Sequence, residues 1–256
     1  MKILITGASS GIGRSIALKA ASRYDEMVLA ARDKARLEEL KEEITAEYPV
    51  KVEIVAADLS KQENCVKLFE AHKDVHLLVN NAGFGDTGSF DETSLEKDTM
   101  MIRTNIIAMH TLMKLYLGEM KKRNKGQILN TASMAGYFPG PLMATYYATK
   151  AYVVSITQAV REELRREGSD VKISILCPGP VKTNFGKTAN VDFHFKGFST
   201  TSGYIADYTM KHLKQFYIIP RIEMKAAKIL SKIIPAEISA RILYSVHNNK
   251  VKNNSK

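Results

Sequence analysis

Short apolar runs alternate with longer amphipathic segments along most of this chain. The runs have the length of strands, and the segments between them have the spacing of helices with one buried face. Because the runs are apolar on both faces, they predict a parallel sheet with helices on each side, a doubly wound, Rossmann-type α/β fold in three layers. The predicted strands are residues 2–6, 26–31, 51–57, 76–80, 128–132 and 171–176.

Helix-start signals mark the segments between these strands. Helices are predicted at about 12–24, 33–48, 93–123 and 143–167, with a further one after Ser60. Asp33 has the position of an N-cap, and Ser60-x-x-Glu63 and Thr93-x-x-Glu96 have the form of capping boxes. The segment 93–123 is predicted to be one continuous helix.

The stretch 185–216 is rich in aromatic residues and carries no recognisable motif. With the apolar side chains that surround the candidate catalytic residues described below, it predicts an apolar pocket under a mobile lid. The alternative, that the aromatic residues fill the core of the loop itself, agrees equally well with the sequence. The residues concerned are Phe185, Phe193, Phe195, Phe198, Tyr204 and Tyr208, with Met134, Tyr137, Phe138 and Met143.

After a last short strand at 216–219, two amphipathic helices are predicted. The first has apolar residues at 222, 226, 229, 230, 233 and 234, with Lys225, Lys228 and Lys232 on the other side; Pro235 opens the second, which ends near His247. A soluble protein rarely leaves so large an apolar stripe exposed. We therefore expect a homodimer or homotetramer with these helices at or near the interface; contact with a membrane surface is the rarer alternative.

Length and composition indicate one domain of ordinary globular character. With 256 residues, 45% hydrophobic and 25% charged, the chain suits one large α/β domain, in which the last strand and helices occupy 216–256. The first strand begins at Lys2, leaving no room for a signal peptide, and Cys65 and Cys177 form no pair motif. A cytoplasmic protein with inert thiols is expected.

The charge is concentrated at the C-terminus. The formal net charge is +10, and residues 221–256 hold eight basic and two acidic residues. A basic tail of this kind serves solubility more often than binding to an anionic surface, and we expect no nucleic-acid partner.

A strand, a glycine-rich turn and a helix follow one another at the N-terminus. Gly7, Gly11 and Gly13 let the backbone approach a pyrophosphate, and the following helix offers unpaired N–H groups to it. The spacing is G-x-x-x-G-x-G. Taken alone, such a turn is also compatible with a tight strand-to-helix connection.

A serine, a tyrosine and a lysine stand at informative spacings between residues 131 and 150. Tyr146 and Lys150 are four residues apart on one predicted helix face, and Tyr146 is the one tyrosine followed by lysine at that distance. Lowering a phenol pKa from near 10 to the neutral range takes about 3–4 kcal/mol, which a fixed cation favours. Ser133, at a strand end, offers a second hydroxyl to the same substrate oxygen.

With these pieces in order, residues 1–185 resemble the short-chain dehydrogenase/reductase family. The residues that carry the resemblance are Thr6-Gly-x-x-x-Gly-x-Gly13, Asp58, Asn80-Asn-Ala-Gly83, Asn105, Ser133, Tyr146-x-x-x-Lys150 and Pro178-Gly-Pro-Val-Lys-Thr183. The resemblance implies a cofactor-binding and catalytic core at 1–185 and a substrate-covering lid at 186–215. It implies catalysis by Ser133, Tyr146 and Lys150, with Asn105 holding a relay water. It implies a dinucleotide site made of Gly7, Ser9, Ser10, Gly11, Ile12, Gly13, Arg14, Arg32, Asp58, Leu59, Asn81, Ala82, Gly83, Tyr146, Lys150, Pro178, Gly179, Val181 and Thr183.

The end of the second strand bears on cofactor choice. NAD-preferring relatives place an acid where this chain has Ala31, and Arg32 follows, which suits the additional phosphate of NADP. Arg14 adds a second cation, whereas Asp33 can serve a ribose hydroxyl or act as an N-cap. The sequence favours NADP, with NAD as the alternative.

The expected function is reversible hydride transfer between NADP(H) and an apolar ketone or aldehyde. Two alternatives stand beside it. A non-enzymatic dinucleotide-binding module typically lacks the tyrosine or the lysine, and epimerase or dehydratase chemistry would call for a longer substrate domain.

Overall fold

A seven-stranded parallel sheet forms the centre of the computed structural model, which describes residues 1–183, 185–189 and 200–254. Its strands are β1 (Lys2–Thr6), β2 (Glu26–Ala31), β3 (Lys51–Ala56), β4 (Leu77–Asn80), β5 (Gln127–Thr131), β6 (Lys172–Leu176) and β9 (Tyr217–Ile218). They lie in the order β3-β2-β1-β4-β5-β6-β9, and all neighbours are parallel. The order reverses between β1 and β4, which places a crevice beyond the carboxyl ends of these two strands.

Helices cover both faces of this sheet, as the sequence predicted. They are α1 (Gly11–Ala20), α2 (Lys34–Glu47), α3 (Gln62–Ala71), α4 (Leu95–Ile102), α5 (Met109–Lys122), α6 (Ala144–Arg166), α7 (Phe185–Thr188), α8 (Ser202–Lys211), α9 (Ile222–Leu230) and α10 (Ala236–Asn254). A separate two-stranded pair joins β7 (Val181–Lys182) to β8 (Thr200–Thr201). Each predicted strand is present and differs from the prediction by one residue at most at either end.

Side chains on the two faces of the sheet enter two cores. Along β1, Ile3 and Ile5 enter the core on one face, and Leu4, between them, enters the other. This alternation follows from the two-residue repeat of a strand. All three side chains are completely buried, as expected for a parallel strand that is covered on both sides.

The segment 93–123 is not one helix, contrary to the prediction. A π-helical turn at Arg103–Ala108 separates α4 from α5. The Asn105 amide inside this turn bonds to the backbone of Phe84, 21 residues earlier. This tertiary contact accompanies the local change from α-helical to π-helical hydrogen bonds.

Both predicted capping boxes are also wrong. Ser94, not Thr93, caps α4 by accepting a hydrogen bond from the Lys97 N–H, while the Thr93 hydroxyl donates to Asp98. Helix α3 begins after Lys61, which makes no side-chain cap. By contrast, Asp33 caps α2 by accepting from the Arg36 N–H, as predicted.

The C-terminal helices leave their apolar stripe uncovered in the single chain. Ile222, Ile229 and Ile233 are 73%, 62% and 71% exposed, so the contact with a second subunit or a membrane that the sequence predicted stays a prediction. Lys228, predicted on the solvent side, faces inward, with its ammonium nitrogen 2.8 Å from the centre of the Tyr217 ring. It therefore does not share the solvent side with Lys225 and Lys232.

In the described part of the chain, no helix is both long enough and apolar enough to cross a bilayer.

Candidate active site

A cavity of about 580 Å³ runs along the carboxyl edge of the sheet. The turns after β1, β2, β3, β4, β5 and β6 form its floor, and α9 and α10 contribute to the wall at one end. This is the position at which ligands bind in doubly wound sheets. The topology thus brings together side chains from all parts of the chain.

The glycine-rich turn lies closely against the end of β4. Gly7 has a φ of +67°, which favours glycine. A Cβ on Gly13 would lie 2.4 Å from the Gly7 carbonyl oxygen and 2.6 Å from the Asn81 Nδ2. Gly13 therefore allows α1 to approach this turn, although it does not itself line the cavity.

Thr6 and Asn81 connect the ends of β1 and β4. The Thr6 hydroxyl accepts hydrogen bonds from the N–H groups of Asn81 and Ala82 at 2.9 and 3.0 Å. The Asn81 amide donates to the Thr6 carbonyl at 3.2 Å. These bonds satisfy the polar groups beside the crevice and fix the shape of the glycine turn before a ligand enters. The cradle fits a dinucleotide pyrophosphate.

Two arginines lie at the β2 end of the cavity. Arg32 and Arg36 both line it, and Asp33 between them is held as the cap of α2, 3.4 Å from the Arg36 Nε. Arg36 was not predicted as a site residue. Arg14 was predicted but does not line the cavity, because its guanidinium contacts Glu43.

Asp58 closes the same end at the carboxyl side of β3. Its carboxylate accepts a hydrogen bond from the Ser60 N–H at 3.0 Å. Burial alone would raise the pKa of Asp58, but the hydrogen bonds with Ser60 and the positive charge of Arg32 lower it overall. The carboxylate is therefore ionised and can accept a hydrogen bond from the amino group of a nucleotide base.

Ser133, Tyr146 and Lys150 meet at the other end of the cavity. The Ser133 side chain hydrogen-bonds with Tyr146, and its oxygen also accepts from the Ala135 N–H at 3.1 Å. The Lys150 ammonium lies 5.9 Å from the centre of the Tyr146 ring and donates to the Thr131 carbonyl at 3.0 Å. Tyr146 and Lys150 are both at most 9% exposed.

Burial governs the ionisation of this pair. It raises the pKa of Tyr146 to about 12, although the hydrogen bond with Ser133 acts in the opposite direction. It lowers the pKa of Lys150 to about 8. The sequence predicted that the lysine lowers the pKa of the phenol; in this structure the pKa is raised, because desolvation of the ring outweighs the hydrogen bond with Ser133.

Asn105 does not line the cavity. It contacts Thr149 on α6, the helix that carries Tyr146 and Lys150. Its amide accepts from the Phe84 N–H at 3.0 Å and donates to the Phe84 carbonyl at 2.9 Å and the Thr149 hydroxyl at 3.1 Å. The side chain is thus occupied by protein partners. The predicted water relay would have to use its backbone carbonyl, which lies in the π-helical turn.

Apolar and aromatic side chains from distant segments form the wall near Tyr146. Of the predicted apolar residues, Met134, Phe138 and Phe185 line the cavity, whereas Tyr137, Met143, Tyr204 and Tyr208 do not; Phe193, Phe195 and Phe198 lie outside the described residues. The sequence did not identify the contributions of Tyr147, Met224, Ala227, Leu243 and His247. An apolar wall of this kind suits an apolar substrate.

His247 ties α10 to the segment that precedes α6. Its Nδ1 lies 2.7 Å from the Pro141 carbonyl, which can only accept, so Nδ1 carries a proton. In the neutral ring, Nε2 then accepts from the Tyr147 hydroxyl, 3.1 Å away. The ring is 2% exposed. The last helix is thereby held against the catalytic helix.

The predicted dinucleotide residues are brought together with two exceptions, Gly13 and Arg14. The following line the cavity: Gly7, Ser9, Ser10, Gly11, Ile12, Arg32, Asp58, Leu59, Asn81, Ala82, Gly83, Tyr146, Lys150, Pro178, Gly179, Val181 and Thr183. Of the missed residues, Arg36 had a sequence signal, since it lies one turn after the Asp33 cap. Leu243 and His247 are four residues apart, which marks one helix face but not what that face contacts.

Comparison with known proteins places these features in context. The family model described as short chain dehydrogenase matches residues 1–192. The chain is 31% identical over 201 residues to a very-long-chain 3-oxoacyl-CoA reductase of Anas platyrhynchos, a match that covers 74% of this chain and 62% of that protein. It thus spans less than two thirds of that relative's length.

Two solved structures resemble the whole fold. One is a short-chain dehydrogenase from Sphingobium yanoikuyae in complex with NADPH, with a TM-score of 0.81, 28% identity, and coverage of 91% of this chain and 96% of that one. The other is a short-chain dehydrogenase/reductase from Burkholderia phymatum in complex with NAD, with a TM-score of 0.81, 29% identity, and coverage of 90% and 92%.

Proposed function

This chain belongs to the short-chain dehydrogenase family, and on that premise we propose that it interconverts an apolar ketone or aldehyde and its alcohol with NADP(H) as cofactor. The observation that carries the proposal is the convergence of Ser133, Tyr146 and Lys150 at the apolar end of a cleft with a glycine cradle at its other end. A nicotinamide dinucleotide, when bound, supplies the hydride in reduction and accepts it in oxidation.

Each catalytic residue has a role set by its contacts. Tyr146, with a pKa near 12, is protonated at neutral pH and donates its proton to the carbonyl oxygen as negative charge grows there. The Ser133 hydroxyl bonds the same oxygen, which stabilises the transition state more than the ground state. Lys150 provides positive charge beside the developing phenolate. In the oxidative direction Tyr146 acts as the base.

The arginines at the β2 end support NADP over NAD. Arg32 and Arg36 present two guanidinium groups, and the one carboxylate between them is occupied as a helix cap. A ribose 2′-phosphate suits this charge, whereas a 2′-hydroxyl gains little from it. The two similar structures contain NADPH and NAD respectively, and the proposal of NADP for this chain rests on these two arginines.

Arg32→Ala is expected to weaken NADPH binding about tenfold or more, because a charge-assisted contact to phosphate is worth roughly 1.5–3 kcal/mol. NADH binding should change little. The dissociation constants of both cofactors, measured by fluorescence titration, give the ratio. Arg14→Ala is the matched control, since its guanidinium contacts Glu43 outside the cavity; an equal loss of NADPH and NADH affinity in Arg32→Ala would show that Arg32 does not read the phosphate.

The substrate end supports a carbonyl compound with apolar substituents. Phe138, Phe185, Met224 and Leu243 line it, and the name of the very-long-chain 3-oxoacyl-CoA reductase points in the same direction. A screen of ketones, aldehydes and secondary alcohols, followed by NADPH absorbance, tests the proposal. If NADPH binds but no such compound is turned over, the dinucleotide-binding module is the better description.

Location and assembly remain part of the proposal. We retain the expectation of a cytoplasmic protein that forms a homodimer or homotetramer. Burial raises the pKa of Cys65 to about 11 and of Cys177 to about 12, so both thiols are unreactive. Gel filtration with light scattering measures the assembly.

A further inference from the structure

The outward surface of α9 and α10 is unusually apolar. We call this surface, with the turn that joins the two helices, the outer face. Seven large apolar side chains on it are 47% exposed or more: Ile222, Ile229, Leu230, Ile233, Ile238, Ile242 and Tyr244. Two consecutive helices that each expose such a stripe need a partner.

Contacts on the inward side fix this orientation. On α9, Lys228 covers the Tyr217 ring, and Met224 lies so close to Gly179 that a Cβ there would be 2.7 Å from its sulfur. On α10, His247 bonds Tyr147. Rotating either helix to bury its isoleucines would break these contacts. The exposed stripe is therefore a property of the folded chain.

Basic side chains accompany the apolar ones. Lys225 of α9, Lys232 of the joining turn and Arg241 of α10 are all exposed. Of the two acidic residues in the segment, Glu223 is engaged by Arg221 at 3.0 Å. The whole segment 221–256 carries eight basic residues against these two. The outer face thus combines apolar area with a positive field.

This combination distinguishes between two occupants. A second copy of the chain, joined through a two-fold axis, would set the positive outer face against an identical positive face. An anionic lipid surface supplies the opposite charge together with an apolar boundary, and amphipathic helices with basic flanks bind such surfaces in the interfacial plane. We propose that α9 and α10 dock this protein on an anionic lipid surface, with the isoleucines at the acyl boundary and the basic side chains among the headgroups.

The same helices form a wall of the cavity. Met224 and Ala227 of α9, and Leu243 and His247 of α10, line it from their inward sides. The apolar end of the cavity therefore lies directly behind the outer face. The docking proposal stands on the outer face alone and does not depend on the reaction proposed above.

Vesicle co-sedimentation tests the docking. The full chain is expected to bind phosphatidylcholine vesicles that contain phosphatidylserine, to bind pure phosphatidylcholine vesicles much more weakly, and to lose affinity as salt rises. Ile229→Ser with Ile233→Ser, and separately Lys225→Glu with Lys232→Glu, should each reduce binding about tenfold or more. Lys19→Glu with Lys67→Glu is the matched control, because it makes the same charge change on exposed positions of α1 and α3.

Three results would overturn the proposal. One is no binding to anionic vesicles by the full chain. Another is an equal loss of binding in the Lys19/Lys67 control, which would show attraction through net charge alone. The third is a change from dimer to monomer in the Ile229/Ile233 variant without vesicle binding in the parent, which would show that a second copy covers the outer face. Circular dichroism and thermal melting confirm that each variant is folded; since the substituted side chains are exposed, folding should be retained.

Discussion

Replacing Tyr146 by phenylalanine is expected to lower kcat by about 10²–10⁴-fold, the contribution of a positioned general acid. The substitution removes only the hydroxyl, and the ring keeps its place 5.2 Å from the Phe185 ring. Without that hydroxyl, Ser133 remains as a donor to the carbonyl oxygen, but no nearby group delivers a proton. Cofactor affinity should hardly change, because the phenol acts on the substrate.

Steady-state rates with a substrate found in the screen, and NADPH titration by fluorescence, separate these two effects. Tyr152→Phe is the matched control. Tyr152 lies on the same helix, and its hydroxyl pairs with the His110 Nδ1 at 2.8 Å, away from the cavity. Near-native turnover in Tyr146→Phe would remove this residue from the mechanism, whereas a loss of turnover in both variants would indicate a general effect on α6.

Replacing Lys150 by methionine should abolish most activity and at the same time stabilise the fold. Turnover is expected to fall about 10²–10³-fold, the effect of removing one charge-stabilising donor. Stability should rise because the folded protein lowers the pKa of this ammonium from 10.5 to about 8 by burying it. Methionine has a similar length and bears no charge, so its burial carries no such penalty.

The direction of the pH dependence follows from the lowered pKa. Between about pH 8 and 10.5 the unfolded chain binds more protons at this residue than the folded protein does. The free energy of unfolding therefore rises with pH across this window, and the full penalty applies below it. At neutral pH the penalty is on the order of 3 kcal/mol, and losing the Thr131 hydrogen bond offsets about 1 kcal/mol of the gain.

Urea unfolding at about pH 7 and about pH 10, without cofactor, measures this effect. The native chain should gain stability at the higher pH relative to Lys150→Met, which should start about 1–3 kcal/mol more stable at the lower pH. Lys172→Met, at an exposed position of β6, serves as the control. If Lys150→Met is less stable than the native chain at both pH values, the contacts of the buried ammonium outweigh the cost of burying it.

The sheet could be predicted because most of its strands are buried on both faces. Runs such as Ile3 to Ile5 have no polar side, so few structures other than a parallel sheet accommodate them. The π-helical turn could not be predicted, since it accompanies the contact of Asn105 with Phe84, which lies 21 residues earlier in the sequence and outside the helix. The wrong helix caps have a simpler reason. Thr93 stands beside a second hydroxyl, Ser94, and the folded backbone selects Ser94, whereas α3 begins one residue later than its box implied and has no side-chain cap.

The candidate site was predictable where topology alone collects the residues. The ends of β1, β3, β4, β5 and β6 meet at one edge, so the motif residues that follow them meet as well. Arg36 was overlooked although its place one turn after the Asp33 cap was visible in the sequence, whereas Arg14 was misjudged because its direction depends on helix rotation. Gly13 and Arg14 are neighbours, yet the helix turns Arg14 towards Glu43. Sequence spacing does not determine such a rotation.

The C-terminal helices show a different limit. An amphipathic pattern indicates two faces but not which one is covered. Lys228 points inward because its aliphatic stem tolerates burial and because its ammonium group is attracted to the Tyr217 ring. A rule that places the apolar face of every helix in the interior wrongly predicts that Lys228 is exposed to solvent.

The contact between His247 and Tyr147 joins residues 100 positions apart. It connects two parts of the chain that contribute differently to the cavity. Ser133, Tyr146 and Lys150 are encoded before residue 184, whereas α9 and α10, which form one part of the wall near Tyr146, are encoded in the final stretch. During synthesis, the N-terminal part emerges first. The residues at the catalytic end of the cavity are therefore made before the two helices that complete its wall. Substitutions in the codons for α9 and α10 can therefore reshape one part of the cavity wall while Ser133, Tyr146 and Lys150 stay unchanged.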